Sequence, residues 1–571
     1  MSAMESAPGS AKAVPEPELD PADRGPRSSK RWWALATVAV GVSIIVMDAT
    51  VVNVALPVII EDLGLTATQA EWMNAIYSLI FAALLLTVGK VGDLYGRRRL
   101  FLVGITLFTL ASVGAGLAGT GQLLIAARFA QGVGAAMILP ATLSTVNAMF
   151  HGRERAIAFA VWGSTIGGMA ALGPLVGGWL TTDFTWRWAF WINVPIGLLV
   201  IAGILWAVPE TRDDKAIPGL DLIGVLLSSV GLGAIVYALI EGQKYGWGRQ
   251  ADGSVSPVAI AMAVGVLLMV AFVWWQRRRA AQHRPALVDL GLMGVRSFRF
   301  GSLAALIVAL GEFGLLFTLP LLLQNSLGYS ALGTGWLIVS LAVGTFLVSG
   351  MTPQLTARYG ARTVVRTGLA TEAIAVAGLA VTLTASISGW LIATWLFLYG
   401  VGVGMATAQL TSVILADIPV NQSGQASGLQ STFRQLGSAL GVAILGSLLI
   451  GTLGHSTQSN LTDAGVPAAS VTKVTDAVTG SAGAIIPTLQ GKPATAATGD
   501  AAAEAMIHAS KVTTAVAAAI IALGLAATWA LPPSTAGLGV VPPEERAARR
   551  SRGSAPSSGR RRRRTRPPTR A

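Results

Sequence analysis

From Trp32 to about Ile60 the chain is apolar for the length of a membrane span. Inside that run, in the stretch MDATVVNVALP from Met47 to Pro57, stands one aspartate, Asp48. At 1.5 Å per residue the run crosses a hydrocarbon core of about 30 Å with room to tilt. A carboxylate at that depth costs at least roughly 2.5–3.5 kcal/mol on insertion scales, so it must face a partner or an internal cavity and not lipid. That cost makes Asp48 a functional candidate. Composition points the same way: 53% of the 571 residues are hydrophobic and 12% charged, against about 25% charged in soluble domains.

Read with a window of about 19 residues, the chain contains about fourteen such runs, centred near Ile44, Leu79, Thr109, Ala136, Gly168, Leu198, Ser229, Val266, Val308, Leu341, Val376, Gly402, Ala439 and Ile521. The expected fold is an all-α polytopic membrane protein with 14 transmembrane helices. Residues 1 to about 30 lack the apolar core of a cleaved signal peptide, so the first span is expected to stay as an anchor. With the amino terminus inside, the inner joints collect most of the cations, among them Arg97 to Arg99, Arg277 to Arg279, Arg358, Arg362 and Arg366. The outer joints hold only Arg187, Lys244, Arg249, Lys473, Lys492 and Lys511. An even number of spans with both tails cytoplasmic satisfies that bias.

The expected organisation is a disordered tail over 1–31, six helices over 32–208, two additional spans over 220–275, and six helices over 299–531. A long outer loop over 454–510 and a basic disordered tail over 532–571 complete it. The 454–510 stretch, rich in Ala, Thr, Ser and Gly, is too polar to span; it reads either as a small extracellular hairpin or cap or as a flexible excursion. Much of the net charge of +13 lies in the last 30 residues, with Arg560 to Arg564 unbroken. For a tail held at a membrane the nearest polyanion is anionic lipid, so lipid and not nucleic acid is the expected partner. There is no Cys, and four scattered His offer no metal-ligand spacing, so neither thiolate chemistry nor a metal site is expected. With no Walker-type phosphate loop, ATP drive and resident cofactors are not expected either.

Other polar and small residues recur at telling places. GKVGDLYGRRR, Gly89 to Arg99, puts Asp93 at a helix end among cations; GSTIGGMAALGPLVGGWL, Gly163 to Leu180, spaces Gly163, Gly167, Gly173, Gly177 and Gly178 for close helix approach around Pro174. Arg128 lies within LIAARFAQGVGAAMILP, Leu124 to Pro140, and needs a carboxylate, carbonyls or water. Glu312 in GEFGLLFTLP has aromatic company in Phe313 and Phe317, a setting that suits cationic aromatic compounds and equally suits plain packing. Glu372 is near enough to a span end to snorkel, while Tyr77, Trp72 and Trp162 read as cavity walls or as interfacial anchors.

Taken in order, these motifs resemble those of the major facilitator superfamily, and in particular its drug:proton antiporters with about fourteen spans, the EmrB and QacA type. WRWAFWINVPIG, Trp186 to Gly197, resembles the opening of their sixth helix and GQASGLQSTFRQLGSALGVAILGS, Gly424 to Ser447, a segment of their thirteenth. The resemblance covers about residues 31 to 531. It implies two six-helix bundles plus two extra spans, and export of lipophilic, cationic drugs or antibiotics in exchange for protons. A dedicated exporter of one antibiotic or lipid-like metabolite fits the same motifs, and a proton-coupled importer fits them less well; an enzyme is not implied. Asp48, Arg128 and Glu312 would then couple protons, and Asp48, Glu312, Phe313, Tyr77 and Trp162 would line the substrate cavity. Gly89, Asp93, Gly96 and Arg97 would form a cytoplasmic gate, with Asp93 latching to the second bundle, and Gly163, Gly167, Gly173, Pro174, Gly177 and Gly178 the pivot. PQLTARYGAR, Pro353 to Arg362, has Ala357 where a second such aspartate would fall, so any latch is one-sided.

Overall fold

The computed structural model describes residues 28–150, 152–212, 219, 221–248, 254–282, 284, 286–418 and 423–531. The tail expectations for residues 1–27 and 532–571 lie outside the described residues. Within them the chain is helical: α1 Ser28–Leu63, α2 Ala67–Tyr95, α3 Arg97–Gly116, α4 Gly121–Met149, α5 Gly152–Asp183, α6 Trp188–Trp191, α7 Asn193–Ala207, α8 Leu222–Tyr245 and α9 Pro257–Ala281. There follow α10 Arg296–Asn325, α11 Ala331–Tyr359, α12 Ala361–Thr382, α13 Gly389–Leu415, α14 Ser423–Asp463, α15 Ala468–Gly480, α16 Ile486–Gln490 and α17 Ala496–Ala527. Among the described residues thirteen helices are long and apolar enough to cross a membrane, α6 and α7 counting together. The 32-residue α5 brings the expected fourteen.

Local chemistry sets where these helices begin. Thr66 opens α2 with a reciprocal pair of bonds to Gln69, which together satisfy two amide donors that a helix start leaves free. Thr120, Ser256, Ser330 and Ser388 cap α4, α9, α11 and α13 in the same sense. Inside the spans, Thr106, Thr109 and Ser112 return their hydroxyls to carbonyls one turn back, so polar side chains cost little in an apolar helix.

Helices α1 to α7 pack chiefly on one another, and α10 to α14 with α17 do the same. The two groups meet along two seams, α2 on α14 and α5 on α11. The hairpin α8–α9 stands beside them, with α8 touching both α2 and α14. Its outer helix α9 exposes Ile260, Val264, Leu267, Val270 and Trp274, as lipid contact requires.

Asp221 ties that hairpin together. Its carboxylate caps α8 through the Gly224 amide at 3.0 Å and accepts from Trp275 at 2.8 Å and Gln276 at 2.7 Å, with Arg279 at 3.6 Å. Burial alone would push the Asp221 carboxyl up, but the bonds from Trp275, Gly224 and Gln276 and the charge of Arg279 outweigh it and hold it below the usual aspartate value. Its stabilisation is therefore complete above the ordinary aspartate value and is lost as pH falls through the lower folded one. Asp221→Ala removes the cap and these bonds; a loss of about 1–3 kcal/mol is expected, read as a lower thermal midpoint of the purified protein. An unchanged midpoint would remove Asp221 from the fold's supports.

The connection read as one polar stretch over 454–510 is largely helix. α14 runs on to Asp463 and α17 begins at Ala496, so only residues 464–495 join them. α15 and α16 fill that join and bury Val471, Val478 and Ile486 against α14 and α17, with Met506 of α17 in the same core. Of the two readings, the compact cap is the one found. Asn325 at the end of α10 donates to the Ala482 carbonyl at 3.2 Å, and α15 reaches α2, so the cap lies across a seam. Composition concealed this because Ala and Thr serve helices at the membrane edge as readily as loops.

With fourteen spans the start of α1 and the end of α17 reach one face, here called the terminal face. There Arg296, Arg362 and Arg366 donate to the carbonyls of Ala530, Trp529 and Thr528, in the 3-10 turn that follows α17. The groups close on each other at the opposite face: Gln324 donates to the Val54 carbonyl at 2.9 Å, and the Leu332 amide to Thr182 at 3.0 Å.

Candidate functional site

Asp48 is wholly buried on α1 and Arg128, 1% exposed, faces it from α4. Arg128 Nη1 donates to Asp48 Oδ2, so the buried charges cancel as a pair. Gln131 stands one turn beyond Arg128 on the same face of α4. It receives a bond from the guanidinium at 2.8 Å and donates to Asp48 Oδ1 at 3.0 Å. Asn193, the first residue of α7, donates to the same oxygen at 2.8 Å. Ser112 of α3 accepts from Gln131 at 2.8 Å and from Asn193 at 3.3 Å. Arg128 Nε donates to the Met73 carbonyl on α2 at 3.3 Å, and its guanidinium lies 4.3 Å over the Tyr77 ring, an added cation–π attraction. Five helices thus converge on one carboxylate.

Such a site is high-stakes. A buried pair of this kind adds little net stability, but removing one partner strands the other at a cost of about 3–5 kcal/mol. The sequence showed that Arg128 needs a carboxylate, carbonyls or water, and only the family resemblance pointed it to the first helix around Asp48. Gln131, Ser112 and Asn193 were missed, although Gln131 sits three residues after Arg128 and Asn193 is the one amide in WINVPIG.

In this conformation Asp48 and Tyr77 are closed off from any open cavity by their neighbours. Asp48 is occupied by three donors, and Tyr77, 3% exposed, is covered by Arg128 and donates to the Ile45 carbonyl at 3.4 Å. Glu312 lies in the other helix group, 7% exposed, against a small cavity of about 20 Å³ that Thr407, Thr411, Gln430 and Arg434 also line. Phe313 and Trp162 are half-buried, and neither lines that cavity. Glu372 does not snorkel: it is 0% exposed, with its Cγ against Gly402 of α13.

The glycines of α5 divide by partner. Gly173 abuts Thr50, and a methyl group at Gly177 would stand 2.9 Å from the Val51 backbone, both on α1 within a turn of Asp48. A methyl at Gly178 would instead meet the Ala331 carbonyl at 2.6 Å and Leu332 Cα at 2.9 Å on α11. The Pro174 carbonyl faces Gly335 on that same helix. One stretch of α5 therefore touches the Asp48 helix on one side and the second group on the other. The surroundings of Gly163 and Gly167 lie outside the described residues.

At the terminal face the joint after α2 is bound within its own group. Gly96 adopts φ +115°, which a side chain tolerates poorly, and the Glu210 carboxylate sits where its Cβ would be, 2.6 Å away. Glu210 accepts from the Arg98 amide at 3.0 Å and pairs with Arg99 at 3.7 Å. Arg97 donates its amide to Thr211 at 2.9 Å and its guanidinium to the Ser144 carbonyl at 3.4 Å, while Gly89 faces Pro140 on α4. The Asp93 side chain lies outside the described residues.

Comparison with known proteins fixes the family. The sequence model of the Major Facilitator Superfamily matches residues 38–222 and 220–442. The chain belongs to the major facilitator superfamily. Among its relatives in that superfamily, a probable actinorhodin transporter of Streptomyces coelicolor is 34% identical over 473 residues, 80% of this chain and 79% of the relative. The puromycin resistance protein pur8 of Streptomyces alboniger is 36% identical over 455 residues, 77% and 86% of the two chains. The multidrug efflux pump LfrA of Mycolicibacterium smegmatis is 34% identical over 423 residues, 74% and 81%. The superfamily fold is also that of a bacterial homologue of the lysosomal transporter Spinster, inward-facing and unoccupied. It matches with a TM-score of 0.61 at 18% identity over 89% of this chain and 98% of that one.

Proposed function

We propose that this superfamily member exports lipophilic, cationic drug-like compounds or antibiotics across the cell membrane in exchange for protons. The observation that carries the reading is the Asp48–Arg128 pair, set in a five-helix network within one turn of Thr50 and Val51, which Gly173 and Gly177 of α5 touch while Gly178 of the same stretch meets the second group. A titratable carboxylate joined mechanically to the seam is what exchange requires: a change at Asp48 is felt where the two groups meet. The names of the relatives, which include antibiotic exporters and a multidrug efflux pump, supply the substrate class.

In this reading residues 32–208 and 299–531 are two six-helix bundles that rock about the central seam, with the spans of 220–275 as an adjunct. The terminal face is cytoplasmic, because Arg97 to Arg99, Arg277 to Arg279, Arg358, Arg362 and Arg366 gather there. Closure at the opposite face shuts this conformation to the outside. Asp93 latches the opposite state, Glu312 is a second carboxylate for protons or substrate, and the basic tail rests on anionic lipid. The test is dye efflux with pH reporting in proteoliposomes holding the native chain. Compound-driven proton release supports exchange; compound movement with no proton flux at any imposed gradient refutes it.

A further inference from the structure

Glu372 on α12 is 0% exposed and neither of its carboxyl oxygens has a hydrogen-bond partner. Glu312 on α10, 93% buried, leaves Oε1 without one. Both carboxyls pack on α13, Glu372 against Gly402 and Glu312 across the cavity from Thr407 and Thr411, and the buried Tyr399 lies one turn before Gly402 on the same helix. The remaining charge in the cluster is Arg434 of α14, which acts on Glu312 across the small cavity. A cavity of about 20 Å³ is large enough for one water, and its polar walls of Thr407, Thr411, Gln430 and Arg434 supply partners for it.

These two carboxyls differ from Asp48 in kind. Asp48 has a cation and two amide donors; among the described residues Glu372 has no hydrogen-bond donor and no paired cation, and an ionised carboxylate in a dry site with neither costs several kcal/mol. We propose that Glu372 is a proton-storing site of the second helix group, loaded from the cavity through Glu312, so that this group carries a proton of its own through the transport cycle. The transfer is balanced: a hydronium ion reaching the cavity from the aqueous side gives its proton to the Glu312 carboxylate and is left as water, Glu312 gives that proton to the Glu372 carboxylate, and the return reverses each step. Arg434 keeps Glu312 ready to ionise again, while Glu372 retains the proton where water does not reach. Two carboxyls in unlike surroundings can divide the work of acceptor and store.

The proposal rests on proton-driven exchange only for its role in transport; occupancy is tested without it. Dicyclohexylcarbodiimide attacks protonated carboxyls in apolar surroundings, so the native chain in lipid vesicles should be labelled at Glu372, found by peptide mass spectrometry, and labelling should fall several-fold as pH is raised. Labelling at Glu312 alone, or none at Glu372 across the pH range, overturns the store. The second measurement is the proton-to-substrate ratio from reversal potentials, native against Glu372→Gln, with Glu372→Asp as the conservative control. The expected result is a ratio lower by about one proton in Glu372→Gln and unchanged in Glu372→Asp. An unchanged ratio in Glu372→Gln makes Glu372 an inert buried acid. If export proves not to be proton-driven at all, the labelling still decides whether Glu372 holds a proton.

Discussion

Asp48→Asn is expected to abolish compound-driven proton release in proteoliposomes while leaving a folded chain, because asparagine keeps the shape and can still accept from Gln131 and Asn193. What it loses is the negative charge opposite Arg128. The stranded guanidinium costs about 3–5 kcal/mol, enough to displace a two-state equilibrium by a factor of about 100 or more. Arg128→Gln should fail in the same assay. The double variant Asp48→Asn with Arg128→Gln tells structure from coupling: with no unpaired charge left, its thermal midpoint should recover towards native while proton release stays absent. Recovery of both would make the pair a structural brace. Proton release undiminished in Asp48→Asn alone would move the coupling elsewhere.

The second large effect is expected from adjacent glycines. Gly178→Ala places a methyl 2.6 Å from the Ala331 carbonyl on α11, across the seam, where two helix groups must separate and close. Overpacking of this kind costs about 1–3 kcal/mol. It falls only on the conformation in which the opposite face is shut, so population moves towards the one in which it is open. Gly177→Ala presses instead on Val51 of α1, inside one group, and should cost stability in every conformation. Cysteine labelling from the opposite face, at a position introduced on α11, should rise about tenfold or more for Gly178→Ala and stay near native for Gly177→Ala. The reverse pattern would show that α5 and α11 do not part during the cycle.

The all-α polytopic fold was legible because lipid leaves the backbone few choices, while the two six-helix bundles with two extra spans came only from the resemblance of the motifs. Asp48 and Arg128 were legible for the related reason that a charge in hydrocarbon must be met by its opposite. What the sequence withheld depends on distance. Ser112 and Asn193 become donors and acceptors only once α3 and α7 converge on α1, and nothing near them in the chain announces that. The enclosure of Tyr77 beneath Arg128, in place of a cavity wall, is likewise a property of packing. Glu372 looked free to reach the membrane edge because span ends are vague in a sequence. The close seat of its Cγ on Gly402 is a contact between α12 and α13 that only the assembled bundle supplies.

Length makes α14 a lever. It runs 41 residues without proline, from the terminal face into the cap. At 1.5 Å per residue that is about 60 Å, so a tilt of about 10° at one end sweeps the other through about 10 Å. Its base touches α2 and its tip bears α15, so motion too slight to notice near the charges is magnified outside the membrane. A spectroscopic ruler set between α15 and the α3 end would read the cycle from the aqueous side.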